Sequence, residues 1–417
     1  MSAQQQPETP LLSRHTLLSL YLPAMIMALG QGMVIPALPL YAKSFEVSFG
    51  VASMVVVAAS LGSLVAGLPT GFLLDHVGRR KVILAAPLCA AVASFLCVFA
   101  QSFPELLVYR FIGGVATQMW GLGRLAIITD IGAARQRGRQ ITGMHATDSI
   151  GRISGPVLGG LLATLVDLRA PFLIHGILCL VAVIPSFKLI RETAPSKTQE
   201  APASERGSSA RARLAWILTV PIFTFFVAQL MGSITRGALN NGSLNFFAAY
   251  NYQVDAAAIG FMATAATVIG VPIMFGAGAA MDRFGRKATI LPGFTLLAAG
   301  LCLMAITTAN DWPFSAYVAG FLAVEAANMI TTGCMQTLGS DIAPARQRGS
   351  FFGISQTVVQ VGQVLSPVTF AILVDNASPT IAFLFLAACS LSVAILVGTL
   401  IRDQVSDQHP QGATARA

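Results

Sequence analysis

A bilayer's hydrocarbon layer is about 30 Å thick, and a helix needs about 20 apolar residues to cross it. This 417-residue chain holds twelve such runs, at roughly 16–41, 49–74, 81–101, 106–130, 140–165, 170–190, 214–245, 257–281, 288–307, 314–341, 351–374 and 380–401. In lipid, backbone N–H and C=O groups must be bonded inside their own segment, so runs of this length read as helices. The expected fold class is an all-α membrane protein of twelve transmembrane helices. Composition agrees: 11% of residues are charged, against about 25% in soluble domains. The first 15 residues are polar, and the run after them is too long for a signal-peptide core, so it reads as a retained first helix.

The net charge of +8 does not point to nucleic acid, because the basic residues fall in short clusters between apolar runs. That distribution is a topology signal. With the N-terminus inside, cytoplasmic segments hold 20 of the 26 lysines and arginines and external segments hold only Lys43 and Arg169. Both termini are therefore expected in the cytoplasm, in a cell membrane crossed many times. The six cysteines lie in apolar runs without metal-site spacing. No metal or cofactor is expected, nor any soluble-enzyme constellation. The partners implied are the lipid bilayer, a small-molecule substrate and protons, with the chain a monomer.

The connections are short except at 191–213, which is rich in Ala, Ser, Pro and charge and reads as a flexible linker. It separates a six-helix bundle at 1–190 from a second at 214–417 that ends in a short cytoplasmic tail. The halves repeat. Gly71-Phe-Leu-Leu-Asp75-His-Val-Gly78-Arg79-Arg80-Lys81 recurs as Gly278-Ala-Ala-Met-Asp282-Arg-Phe-Gly285-Arg286-Lys287. Asp130-Ile-Gly-Ala-Ala-Arg135-Gln-Arg137-Gly138 recurs as Asp341-Ile-Ala-Pro-Ala-Arg346-Gln-Arg348-Gly349. The offsets are 207 and 211 residues. A duplicated six-helix unit is the plan of alternating-access transporters, with the substrate site between the repeats.

At these residues the chain resembles the major facilitator superfamily, over nearly its whole length. The segment after run 2 matches that family's G-x-x-x-D-x-x-G-R-[RK] signature at Gly71, Asp75, Gly78, Arg79 and Arg80, with a second copy after run 8. Run 4 carries a partial R-x-x-Q-G signature at Arg110 and Gly114, with Gly113 in the Gln position. Run 5 carries Gly151-x-x-x-Gly155-Pro156-x-x-Gly159-Gly160, similar to the antiporter signature of the drug:proton antiporter branch. Gly30-Gln31-Gly32 in run 1 also looks like that branch. The resemblance implies two pseudo-symmetric six-helix bundles and proton-coupled export of a small amphiphilic solute.

Residue chemistry gives each motif a physical reading. The glycines of the loop segment let consecutive helices turn back tightly. Its arginines are expected to pair with acidic helix ends, Arg79 or Arg80 with Asp130, and Asp282 and Asp341 acting likewise in the second half. These pairs would hold the cytoplasmic side shut in one state. Gly151, Gly155 and Gly159 lie four apart on one side of run 5, where small residues let helices touch in lipid, and Pro156 should bend the helix.

Ionisable groups inside a membrane are costly and face the bundle interior or water. Helical spacing puts Arg110, Thr117 and Arg124 on one face of run 4, and His145, Asp148 and Arg152 on one face of run 5. Gln229, Ser233, Arg236 and Asn240 share a face of run 7; Glu325, Asn328, Thr332 and Gln336 of run 10; Gln356, Gln360 and Gln363 of run 11. With Gln31, these make up the expected cavity. Asp148 and Arg152, spaced i,i+4, are expected to pair. Asp148, Glu325 and Arg110 are the candidate proton-coupling groups, and His175 in run 6 reads as structural. Two rival readings remain open. One is an organic anion or zwitterion transporter, favoured by four intramembrane arginines against two acids. The other is a sensor or assembly partner that transports nothing.

Overall fold

The computed structural model describes residues 17–131, 137–190, 219–344 and 348–400, and none of these is in a strand. A five-residue π-helical turn, Leu17–Tyr21, leads into α1 (Leu22–Lys43). Pro23 lies in the first turn of α1 and has no N–H to give to the turn before it, where the Ser19 carbonyl accepts instead from Ser186 Oγ at 3.4 Å. Then follow α2 (Phe49–His76), α3 (Arg79–Val98), α4 (Phe103–Ile131), α5 (Arg137–Leu165) and α6 (Ala170–Leu189). After the second gap come α7 (Val220–Asn240), α8 (Ser243–Asn251), α9 (Ala256–Phe284), α10 (Lys287–Ala309), α11 (Phe314–Thr331), α12 (Cys334–Ile342), α13 (Arg348–Asn376) and α14 (Pro379–Leu400).

Two expected runs are each broken. Run 7 divides into α7 and α8 at Asn241-Gly242, where Gly242 has φ +84°. Run 10 divides into α11 and α12 at Gly333, with φ +79°. Glycine enters that left-handed region without the Cβ penalty other residues meet. Eleven segments of the described chain are long and apolar enough to span a bilayer. The twelfth expected span, α5, is 29 residues long, but Arg137, Arg139, His145, Asp148 and Arg152 put five ionisable residues into its first sixteen positions.

The chain divides into two compact units, Met1–Pro202 with Asn245–Thr267 and Ala203–Leu244 with Val268–Ala417. In the first unit α1 packs on α5 and α6, α2 on α4, and α3 on α4 and α6. In the second, α7 packs on α13 and α14, and α10 on α11 and α14. First-on-fifth, first-on-sixth, third-on-fourth and third-on-sixth pairings thus occur in both, so the sequence repeat is also a packing repeat.

Lipid tails are as apolar as the side chains, so close van der Waals packing has to hold the helices together. Small residues supply it: Ala86, Ala90, Ala91 and Ala93 are buried along α3, and Ala24, Ala28 and Ala37 along α1. Other apolar side chains face outward, with Leu68 90% exposed and Phe72, Val92, Phe187 and Phe275 each more than half exposed. That outside suits acyl chains.

Candidate functional site

The repeated loop segment places its two inner glycines in the left-handed region, Gly78 at φ +102° and Gly285 at φ +88°. Both sit where one helix stops and the next turns back. Gly71 and Gly278 behave differently: they lie inside α2 and α9, and a Cβ on either would meet nothing within 4 Å. The tight turns therefore need only Gly78 and Gly285. Arg79 Nη1 lies 3.5 Å from Asp75 Oδ1 and donates to the Leu74 carbonyl at 2.8 Å. Arg80 donates to the Phe187 carbonyl of α6 at 3.0 Å and lies over the Phe187 ring. Arg286 Nε donates to Asp341 Oδ2 at 3.1 Å, across 55 residues of sequence. The side chains of Asp130 and Asp282 lie outside the described ones, so the expected partners of Asp130 are not tested.

The glycines of α5 form a seam against α1. A Cβ at Gly151 would lie 2.6 Å from the Met25 carbonyl oxygen, and one at Gly155 2.7 Å from that of Leu29. At Gly159 it would run into the Met33 carbonyl, and at Gly160 into the carbonyl of Ala256. Pro156 is buried in this seam.

In the first unit, Asp148 takes a different partner from the one expected. Both Arg124 terminal nitrogens donate to it, Nη1 to Oδ1 at 2.8 Å and Nη2 to Oδ2 at 2.7 Å. A guanidinium arriving from α4 meets the carboxylate fork to fork, a geometry stronger than a single contact. Arg124 is 5% exposed and lies over the Trp120 ring. Arg152, one turn along α5, is exposed. Arg110 and Gln31 are half-buried, and Arg110 has no carboxylate within ion-pair distance among the described residues.

In the second unit, α7 and α11 bring together Arg236, Asn240, Glu325 and Asn328. The buried Asn328 amide donates to Glu325 Oε2 and to Asn240 Oδ1, both at 3.3 Å. Glu325 and Arg236 lie within electrostatic reach of each other. Their separation exceeds an ion pair, and Arg236 Nε is buried with no acceptor. Asn240 is exposed, whereas Gln229, about three turns earlier on α7, is 6% exposed. On α13, Gln356 is exposed and Gln360 half-buried. The break at Asn241-Gly242 was missed in the sequence, although Asn-Gly is a turn signal. It puts the Asn241 amide on the Gln363 carbonyl of α13 at 3.3 Å. Among the described residues no group of His, Cys, Asp and Glu could hold a metal ion.

Comparison with known proteins bears on what such an assembly is. The model of the Major Facilitator Superfamily matches residues 20–246 and, in a second match, residues 225–416. The chain belongs to the Major Facilitator Superfamily. Within it, the chain is similar to drug-efflux members. It is 26% identical over 361 residues to the quinolone resistance protein NorA of Staphylococcus aureus, covering 85% of this chain and 89% of that one. It is 25% identical over 361 residues to the class B tetracycline resistance protein of Escherichia coli, covering 84% and 86%. A crystal structure of a D-xylose-proton symporter superposes with TM-score 0.74 at 16% identity, covering 93% of this chain and 97% of that one, which speaks for the fold. The chain is thus a multi-pass membrane transporter, similar in sequence to drug-resistance members of the superfamily. As superfamily members do, it takes a small-molecule substrate within a membrane.

Proposed function

We infer that the chain exports a small amphiphilic compound from the cytoplasm in exchange for protons, by alternating access between its two six-helix halves. In this reading it resides in the cell membrane with both termini cytoplasmic, and acts as a monomer. The observation that carries it is the Arg236–Asn240–Glu325–Asn328 group, where a carboxyl at mid-membrane is bonded to an amide and not to a cation. An acid held this way can take up a proton from one side and release it on the other. Asp148 is less suited, since both of its carboxylate oxygens already accept from the Arg124 guanidinium. The loop arginines serve as cytoplasmic latches, with the Arg286–Asp341 pair as the closed form in the second half.

Everted vesicles test this reading. Acidifying the lumen should drive accumulation of ethidium, an amphiphilic cation, and a protonophore should abolish it. A second reading, transport of an organic anion, draws on Arg236, whose guanidinium has no carboxylate within ion-pair distance. Accumulation of a carboxylate dye with none of ethidium would favour that reading. Accumulation of neither, with no substrate-induced proton movement from a broad panel, would leave the fold without transport and contradict both.

A further inference from the structure

The exposed surface of the first unit carries a groove that neither the latch nor the proton route uses. It lies between α1 and α6 and has a volume of about 400 Å³. One wall is Leu18 of the π-helical turn with Leu22 and Ile26 of α1, each four residues on from the last. The other is Val181, Ile184 and Lys188, one face of α6. Behind it the two helices are tied, since the buried Ser186 hydroxyl donates to the Ser19 carbonyl at 3.4 Å. Leu18 is 47% exposed and Ile184 55%, so the groove opens to the surroundings of the bundle.

Depth and charge both suit a lipid. From Leu18 to Ile26 is about 12 Å at the helical rise, and one leaflet's hydrocarbon is about 15 Å deep. Lys188 stands at one end only, next to the last residue of α6. A lysine lies along apolar surface with its stem and keeps its ammonium at the polar layer. The protein does not answer that charge: α1, α3 and α6 contain no Asp or Glu, and Lys188 has no carboxylate within ion-pair distance among the described residues. Arg80 donates to the Phe187 carbonyl at 3.0 Å, filling one acceptor that a helix end leaves open. It thereby brings a second positive charge to the residue before Lys188. In the second half Lys287 makes the matching bond, to the Gly398 carbonyl of α14 at 3.3 Å. But α14 carries no lysine or arginine. The tie is part of the repeat, and the cation at the groove belongs to the first half.

We propose that the α1–α6 groove binds an anionic phospholipid, with one acyl chain along the apolar walls and the headgroup phosphate on the Lys188 ammonium. A zwitterionic headgroup would bring its own ammonium towards Lys188 and Arg80, with no carboxylate there to receive it. The lipid belongs to the leaflet at the end of α6, the cytoplasmic one in the topology proposed above. It fastens α6 to α1 and is separate from the transported solute.

Thermal unfolding of the full chain in a neutral detergent tests this, with dioleoyl phosphatidylglycerol or dioleoyl phosphatidylcholine added. The melting temperature should rise saturably with phosphatidylglycerol, as ligand binding to the folded state requires. Phosphatidylcholine should give no saturable rise over the same range. Lys188→Gln should raise the half-saturating amount of phosphatidylglycerol about fivefold, the worth of one basic residue beside an anionic headgroup. Ile184→Trp puts bulk into the groove, leaves every charge in place, and should remove the rise. Equal rises with the two lipids, no rise with either, or wild-type half-saturation in either variant would overturn the site. Should a variant not fold, anomalous scattering decides, from wild-type crystals grown with phosphatidylglycerol brominated on its acyl chains. A bromine peak between Ile26 and Ile184 supports the proposal, and its absence there refutes it.

Discussion

At the scale of single residues, the account turns on which charges are committed and which are not. Arg124 and Asp148 are committed to each other in a nearly dry setting. Removing one partner of such a pair leaves an uncompensated charge, at a cost of about 3–5 kcal/mol. Arg124→Gln and Asp148→Asn are each expected to lower the melting temperature of the purified protein, and the double variant to regain part of the loss. A loss in the double variant equal to the sum of the two single losses would mean that the two side chains do not depend on each other. This pairing was only half legible in the sequence. Helical spacing brings Asp148 and Arg152 to one face, and that much is arithmetic on one helix. The side chain that reaches Asp148 comes from α4, and the facing of two helices is a matter of packing that no single-helix period encodes. The polar group around Glu325 was more legible, because Glu325 and Asn328 are neighbours on one helix.

At the scale of elements, glycines with the same role in a motif differ in what surrounds them. Gly155 sits in the α1–α5 seam, where a Cβ would press on the backbone of Leu29 and Gly32. Gly71 sits in an open stretch of α2. Gly155→Ala should destabilise by about 1–3 kcal/mol through overpacking. Gly71→Ala should stabilise by about 0.5–1 kcal/mol through helix propensity. Denaturation of the two variants side by side checks this, and a loss at Gly71 as large as at Gly155 would count against the geometry. The helices themselves were legible because apolar length is a strong constraint in lipid. Their breaks were not, because apolar residues flank Asn241-Gly242 and Gly333 and a hydropathy average runs through both. The α5 helix lies at the margin: the run at 140–165 is long enough to read as a span, yet its charged residues keep it out of the eleven segments that meet a strict apolarity criterion.

At the scale of the whole molecule, duplication, charge bias and family membership point the same way. From the bias of basic residues, both termini and the segment around Arg206 are predicted to lie in the cytoplasm. Single cysteines at Ser2, Ser208 and Ala417, in a background freed of the native cysteines, should resist impermeant thiol reagents in intact cells. Labelling of any one from outside would reverse the topology. The central claim is that Glu325 carries the proton that drives net transport. Glu325→Gln keeps an amide where the protonated acid would stand. In proteoliposomes with ethidium as the probe, wild type should show both pH-gradient-driven accumulation and exchange of labelled for unlabelled ethidium. Glu325→Gln should lose the gradient-driven accumulation and keep the exchange, since exchange needs no net proton movement. Gradient-driven accumulation at the wild-type rate in Glu325→Gln would contradict the claim.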